Sequence, residues 1–247
     1  MTKRKITYYL SWIIVALFIT AFTGCDLPRD NPLDPKAYNY QITSNLPVLT
    51  VNSYHTWEWY PLGEAYYLDM KIEGSLVEEA DSADVIFYDG FHQNLYKTSN
   101  MWFNFVDADT LPGKNLFNLV GTPLYGVLYF DEGNEIFTDT TRLIRVIEDR
   151  AEVIGPDGNT QVVQPIVFTW EPISMNIDFS LEFVLYFKQA ELNLIVEIFR
   201  ESGLPDTLTS YTLPQTLPPK EYTWIISVVD VYNNVSTSKE QNFYVPQ

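Results

Sequence analysis

The sequence predicts an all-β protein in which a cleaved signal peptide and an extended tether precede two tandem β-sandwiches. Short segments alternate between apolar and polar residues, as strands with one buried face do. Aromatic residues form 15% of the chain, and together with many Thr, Val and Ile they favour strands over helices. Pairs of Gly, Pro, Asn and Asp end the apolar runs at short intervals, which is typical of sandwiches built from short strands.

Residues 1–24 are predicted to be a signal peptide. Three basic residues at positions 3–5 precede an apolar run over 6–23, and the small residue Gly24 follows. A positive start, an apolar centre and small residues at the exit are the pattern of a secretory signal. The apolar run is also close to the minimum length of a transmembrane helix, so a retained membrane anchor is the alternative.

The only cysteine, Cys25, comes directly after this segment. The run Thr23-Gly24-Cys25, with Phe22 where the family usually has Leu, resembles the lipobox of bacterial lipoproteins. The resemblance implies cleavage between Gly24 and Cys25, a diacylglycerol on the Cys25 sulfur, and acylation, such as by palmitate, of the new amino terminus. Each buried CH₂ contributes about 0.8 kcal/mol, so two or three acyl chains would hold the protein firmly on a membrane.

Residues 25–46 are predicted to form an extended, proline-rich tether. Residues before proline avoid the helical region, and this segment contains Asp-Asn-Pro and Leu-Asp-Pro. The run over 29–35 (RDNPLDP) resembles the tethers of Bacteroidetes lipoproteins, in which it precedes β-sandwich modules. Asp26 favours inner-membrane retention in enterobacteria, but that rule does not transfer cleanly to the Bacteroidetes-like group. We therefore expect the outer membrane of the bacterial cell envelope, with the inner membrane as the alternative.

Residues 47–149 are predicted to form the first sandwich. Leu68, Met70 and Ile72 alternate with charged residues, and the segments DVIFYDGF, NMWFNFVDADTL and PLYGVLYFDEGNEIF predict further strands that end in turns. The Gly-Pro-Asp-Gly run marks residues 150–160 as a linker.

Residues 161–247 contain six short strand-like segments and are predicted to form the second sandwich. The segment 168–172 (FTWEP) is similar to the first core strand of fibronectin type III domains, and 217–222 (LPPKEY) resembles their tyrosine corner. The resemblance implies an immunoglobulin-like sandwich, with Trp170 packed between the sheets and the Tyr222 hydroxyl bonded back to nearby backbone. Segments beginning at positions 125 and 224 align without gaps, which favours an immunoglobulin-like fold for the first sandwich too.

The charge and the scarcity of catalytic residue types exclude several functions. A formal net charge of −17 argues against nucleic-acid binding, which needs clustered positive charge. The sequence contains no Gly-x-Ser-x-Gly elbow and no His-Glu-x-x-His zinc motif. The two histidines, His55 and His92, are expected at the surface or at strand edges. We therefore predict that the protein is not an enzyme.

The aromatic run over 54–61 (YHTWEWYP) is a candidate ligand-binding surface. Trp57 and Trp59 share one strand face, and Tyr60 lies on the other. Exposed rings at these positions would bind a sugar or a peptide. The alternative is that both tryptophans fill the core of the first sandwich.

Calcium is the most plausible metal, because hard cations prefer the oxygen ligands that acidic loops provide. Asp107 and Asp109 form one such group, and Asp131 and Asn134 form another. The alternative is ordinary turn chemistry, which favours the same residue types for backbone reasons. No other cofactor is expected beyond the lipid on Cys25.

These observations together predict a non-catalytic, lipid-anchored cell-envelope protein that acts as a binding or scaffolding module. Its partner would be an unknown protein or glycan, and its oligomeric state is open. A carbohydrate-binding accessory lipoprotein is the second hypothesis. An envelope hydrolase that uses paired carboxylates is the third.

Overall fold

The structure, a computed structural model, describes residues 46–247 apart from 60, 61, 75, 159 and 190–193. Leu46–Gln247 forms one compact unit. The predicted signal peptide, the cleavage site at Gly24 and Cys25, and the tether up to residue 45 lie outside the described residues. Within the described part, no helix has the length and apolar character needed to span a membrane.

The described residues form strands joined by turns and single-turn 3₁₀ helices. The elements up to residue 143 are β1 (Val48–Trp59), β2 (Leu62–Glu73), β3 (Ser82–Phe87), β4 (His92–Asn94), β5 (Tyr96–Lys97), β6 (Met101–Asp107), η1 (Ala108–Thr110), η2 (Pro112–Lys114), η3 (Leu116–Leu119), β7 (Pro123–Tyr129), η4 (Asp131–Gly133), β8 (Glu135–Phe137) and β9 (Thr141–Arg142). The later elements are β10 (Val153–Gly155), β11 (Thr160–Gln161), β12 (Val167–Trp170), β13 (Phe179–Gln189), β14 (Leu194–Leu204), β15 (Ser210–Thr212), β16 (Lys220–Asp230), β17 (Val235–Thr237) and β18 (Gln241–Val245).

A ten-stranded sheet runs through the whole unit in the order β11-β18-β16-β17-β1-β2-β6-β5. The other edge of β16 pairs with β13, which in turn pairs with β14. Two smaller sheets complete the fold: β10-β12-β15, and β4-β3-β7-β8 with β9 also paired to β7. The protein is therefore all-β, as the sequence predicts.

The first hydrophobic core lies between the β1-β2-β6 part of the large sheet and the sheet that contains β3 and β7. Leu68, Met70 and Ile72 are completely buried, which confirms the predicted alternation along β2. Leu49 and Val51 of β1 lie opposite Ile72 and Met70 and extend the same face. Full burial of each large apolar side chain stabilises the fold by about 1.5–3 kcal/mol.

The second core lies between β10-β12-β15 and the β13-β16 part of the large sheet, and aromatic rings fill it. Phe168 packs against Phe183 with ring centroids 4.7 Å apart and against Trp224 at 5.0 Å. Trp170 is 1% exposed, as the fibronectin-like resemblance implies. This arrangement of two packed antiparallel sheets is an immunoglobulin-like sandwich.

The predicted tyrosine corner is present in the second sandwich. The Tyr222 hydroxyl donates a hydrogen bond to the Pro218 carbonyl at 3.0 Å, and its ring stacks on Phe243 at 5.7 Å. The bond fixes the turn that leads into β16, because a buried hydroxyl must find a partner.

The two sandwiches share backbone hydrogen bonding. β1 pairs in parallel with β17, with Tyr54 opposite Val235 and His55 opposite Ser236. Residues 153–155 of the predicted linker form β10, which pairs with β12, and Ala151 is buried in the second core. The connection is therefore part of the packed structure, because its apolar residues have core positions to fill.

Candidate functional site

A cavity of about 300 Å³ opens at the edge of β2. β6 pairs with β2 only as far as Asp107, which lies opposite Tyr67. The chain then turns away through η1, η2 and η3, so on this edge residues 63–66 of β2 face the turns, while their other edge pairs with β1. The polar lining comprises Glu58, Glu64, Asp107, Asp109, Lys114 and Asn115, and the rings of Tyr66 and Phe117 supply its aromatic part.

The 3₁₀ turns that form one wall are fixed by short-range hydrogen bonds. The Asp107 carboxylate accepts from the Asp109 N–H at 2.9 Å, and the Asn115 side chain accepts from the Phe117 N–H at 2.8 Å. Gly113 has a φ of 75°, a left-handed conformation that residues with a side chain seldom adopt. These local bonds set the direction of each turn, as Asp and Asn do in caps and turns.

The Tyr66 ring joins the cavity to the junction between the sandwiches. It meets Phe117 edge-on at 5.7 Å and stacks on His55 at 4.4 Å with an interplanar angle of 4°. His55 Nδ1 in turn lies 3.0 Å from the Ser236 hydroxyl on β17. One wall of the cavity is thus supported by a residue of the second sandwich.

His55 is completely buried in the interior of β1, so the expectation of a surface or edge position for it was wrong. Burial is the main cause that lowers its pKa, and Arg150 lowers it further, while Glu64 and the Ile147 carbonyl oppose the shift. The imidazole is therefore neutral at neutral pH. Its Nε2 atom has no hydrogen-bond partner among the described residues.

His92 lies at an exposed position on the short strand β4, as expected. Its Nδ1 is 3.3 Å from an Asp84 carboxylate oxygen.

The carboxylates around the cavity differ in their partners. Glu64 forms an ion pair with Arg150 at 2.9 Å. Glu58 accepts a hydrogen bond from the Tyr67 hydroxyl, and this bond adds to burial in raising the pKa of Tyr67. Four carboxylates and one ammonium group line the cavity, so its electrostatic potential favours a positively charged ligand.

Trp57 lies in neither hydrophobic core. Its indole is partly buried beneath two cations, the Arg150 guanidinium at 4.8 Å and the Lys239 ammonium at 3.8 Å from the ring centroid. The indole Nε1 has no hydrogen-bond partner among the described residues. Trp59 belongs to β1, but its side chain and all of Tyr60 lie outside the described residues, so ligand binding by these two remains a prediction.

The structure separates the two predicted calcium groups. Asp107 and Asp109 are at the cavity, at the end of a strand of the ten-stranded sheet. Asp131 and Asn134 flank the turn after β7, in the smaller sheet, where the Asn134 amide donates to the Asp131 carbonyl at 3.3 Å. Within the described ranges, no group of three or more His, Cys, Asp or Glu could hold a metal ion. Calcium binding remains a prediction.

Sequence reasoning missed Glu58, Glu64, Tyr66 and Phe117 as site residues. Glu58 stands beside Trp57 in the aromatic run that the sequence singles out, but Phe117 lies far along the chain. Only the departure of β6 from β2 brings these residues together, and no local pattern encodes where a strand pair ends.

No family model matches the chain, and no curated protein matches it. Among solved structures, the fibronectin(III)-like modules of Clostridium thermocellum CbhA are 11% identical, with a TM-score of 0.31 over 81% of this chain and 95% of that one. The chicken CNTN1 FN1–FN3 domains are 11% identical, with a TM-score of 0.29 over 82% and 66%. The chicken interferon gamma receptor alpha chain is 12% identical, with a TM-score of 0.30 over 81% and 98%.

Proposed function

We propose that this chain is a non-catalytic binding or scaffolding module, held at the bacterial cell envelope by a lipid on Cys25. The observation that carries the proposal is the sheet shared by the two sandwiches. Modules joined only by a flexible linker move relative to each other by default. Here the parallel pairing of β1 with β17 supports a fixed orientation of both sandwiches.

Buried polar contacts support the same rigid arrangement. Asn234 Oδ1 accepts from the Ser53 N–H at 2.9 Å, and Ser53 Oγ donates to the Arg145 carbonyl at 3.1 Å. Arg145 also pairs with Asp230 at 3.2 Å, and the Asp230 side chain is fully buried. Such contacts specify one geometry, because any other orientation would leave these groups buried without partners.

Rigidity is tested by distance measurement between the two sandwiches. Spin labels on cysteines at the exposed positions 89 and 206, in the mature chain with Cys25→Ser, report the separation by pulsed electron paramagnetic resonance. A single narrow distance distribution supports a scaffold of fixed geometry. A distribution as broad as that of two domains on a flexible linker contradicts it.

The membrane part of the proposal rests on the lipobox resemblance. Palmitate labelling of the wild type and of Cys25→Ala tests it, and equal labelling of the two would contradict the anchor. Protease treatment of intact and lysed cells then tests the side of exposure. Cleavage in intact cells is expected if the protein faces outward from the outer membrane, and protection until lysis would place it in the periplasm instead.

A carbohydrate-binding role is the second candidate. The surface that favours it is not the predicted aromatic run over 54–61 but a group of exposed rings on β5 and β6. On the open face of the large sheet, Phe105 is 45% exposed and stacks on Tyr67 at 4.6 Å. Tyr96, on the adjacent strand β5, is 65% exposed. Phe105→Ala should then reduce retention on an insoluble polysaccharide, whereas Phe137→Ala, which removes a similarly exposed ring elsewhere, should not. Equal retention of both variants would contradict this role.

A further inference from the structure

The cavity at the edge of β2 combines aromatic rings with uncompensated negative charge. The Glu64 carboxylate is paired with Arg150, but among the described residues Asp107 and Asp109 have no salt-bridge partner. Among the described residues, Lys114 is the only cationic side chain in the lining. A ligand that enters therefore meets carboxylates on several sides and one repelling ammonium group.

The aromatic part of the lining consists of the rings of Tyr66 and Phe117. The face of a ring carries negative potential and attracts an ammonium or guanidinium group within about 6 Å. One face of Tyr66 is covered by the parallel His55 ring, and Phe117 meets Tyr66 edge-on at 5.7 Å. Because the His55 ring behind Tyr66 is neutral, it adds no positive charge that would oppose a bound cation.

The size of the cavity restricts the ligand further. A volume of about 300 Å³ is at the lower end of the range for small-molecule sites. It accommodates one cationic head group or one basic side chain, and it is small for an oligosaccharide. Rings together with carboxylates suit an organic cation, which is attracted by both, better than a neutral ligand.

We propose that this cavity binds an organic cation, an ammonium or guanidinium group, against Tyr66 and Phe117 with Glu58, Asp107 and Asp109 around it. The inference deepens the proposed binding function by naming the chemistry of the ligand. Two sources share that chemistry: a free amine, and a Lys or Arg side chain of a partner protein. The distance measurement and the palmitate labelling described above are independent of this site, so their failure is distinguishable from failure here.

Calorimetric titration of the mature lipidated protein in detergent micelles tests the proposal. Choline represents the free amine, and the blocked amino acids N-acetyl-lysine methylamide and N-acetyl-arginine methylamide represent the side chains. The neutral choline isostere 3,3-dimethylbutan-1-ol is the ligand control. Saturable binding of at least one cation is expected, with weaker binding at high salt, because exposed charges are screened. The tighter of the two arms identifies the source.

Four variants separate the site from general effects of charge. Phe117→Leu should weaken the cation about 2- to 30-fold through loss of a ring contact. Asp109→Asn should also weaken it, and Lys114→Gln should tighten it by removing a like charge. Asp131→Asn removes the same charge from an exposed turn outside the cavity and should leave the affinity unchanged.

Three results would overturn the proposal. The first is equal binding of the neutral isostere and choline. The second is equal weakening by Asp131→Asn and Asp109→Asn, which would indicate a nonspecific effect of net charge. The third is the absence of saturable binding by any of the cations, including the case in which Ca²⁺ alone binds, while circular dichroism shows the protein folded.

Discussion

Replacement of Asn234 by alanine should destabilise the junction between the sandwiches strongly. Asn234 is 1% exposed, its Oδ1 accepts from the Ser53 N–H at 2.9 Å, and its Nδ2 donates to Asp230 Oδ2 at 3.0 Å. The change leaves the buried Ser53 N–H without this partner and removes one bond to the Asp230 carboxylate, which keeps its ion pair with Arg145. An unsatisfied buried group costs about 1–3 kcal/mol and a hydrogen bond to a charged group contributes about 1.5–3 kcal/mol, so we expect the free energy of unfolding to fall by about 2.5–6 kcal/mol.

The matched control is Asn134→Ala, at the corresponding turn of the first sandwich. The Asn134 amide makes only an exposed bond of 3.3 Å to the Asp131 carbonyl, so its loss should change the free energy by less than about 0.5 kcal/mol. Urea unfolding followed by tryptophan fluorescence measures both variants against the wild type. Equal, small losses in the two variants would refute the view that buried polar contacts at the junction hold the sandwiches together.

Further predictions concern packing, the tyrosine corner and pH. A Cβ at Gly126 would lie 2.5 Å from the buried Ile72 side chain, so Gly126→Ala should lower the free energy of unfolding by about 1–3 kcal/mol. The control is Gly155→Ala, where no atom lies within 4 Å of the added Cβ and the loss should be far smaller. Urea unfolding measures both. Tyr222→Phe removes the 3.0 Å bond to backbone and should lower the free energy of unfolding by about 0.5–1.5 kcal/mol; an unchanged urea midpoint would contradict a stabilising corner. Burial lowers the pKa of His55 in the folded state, so the unfolded chain, with a pKa of about 6.5, binds a proton first as the pH falls. The free energy of unfolding should therefore decrease as the pH is lowered below about 6.5, and His55→Gln should lack this component; identical pH profiles for the two proteins would contradict the shift.

The sequence specified the local features of the fold well. The alternation at Leu68, Met70 and Ile72 was predictable because one face of β2 is buried and the other is not. The positions of Trp170 and Tyr222 followed from short motifs, in which each side chain has a fixed role within a few residues. Such features depend on neighbours along the chain, so their pattern is visible in the sequence.

The shared sheet and the cavity were not predictable in the same way. An alternating strand shows which face is buried, but not which strand lies along its edge, so the pairing of β1 with β17 leaves no local signal. His55 illustrates the consequence, because its burial depends on Ser236 of the second sandwich. For Cys25 only the local motif is available, because the residue lies outside the described residues. Its lipidation therefore remains a prediction from the sequence.

The pairing of β1 with β17 also has a consequence for biosynthesis. His55 and Ser236 are 181 residues apart in sequence, so the entropy of closing a very long loop must be lost before this contact forms. During synthesis the edge of β1 therefore stays without this partner until nearly the last strands of the chain have emerged. An exposed strand edge is a template for aggregation, so we expect the emerging chain to depend on a chaperone until its carboxyl-terminal strands are available.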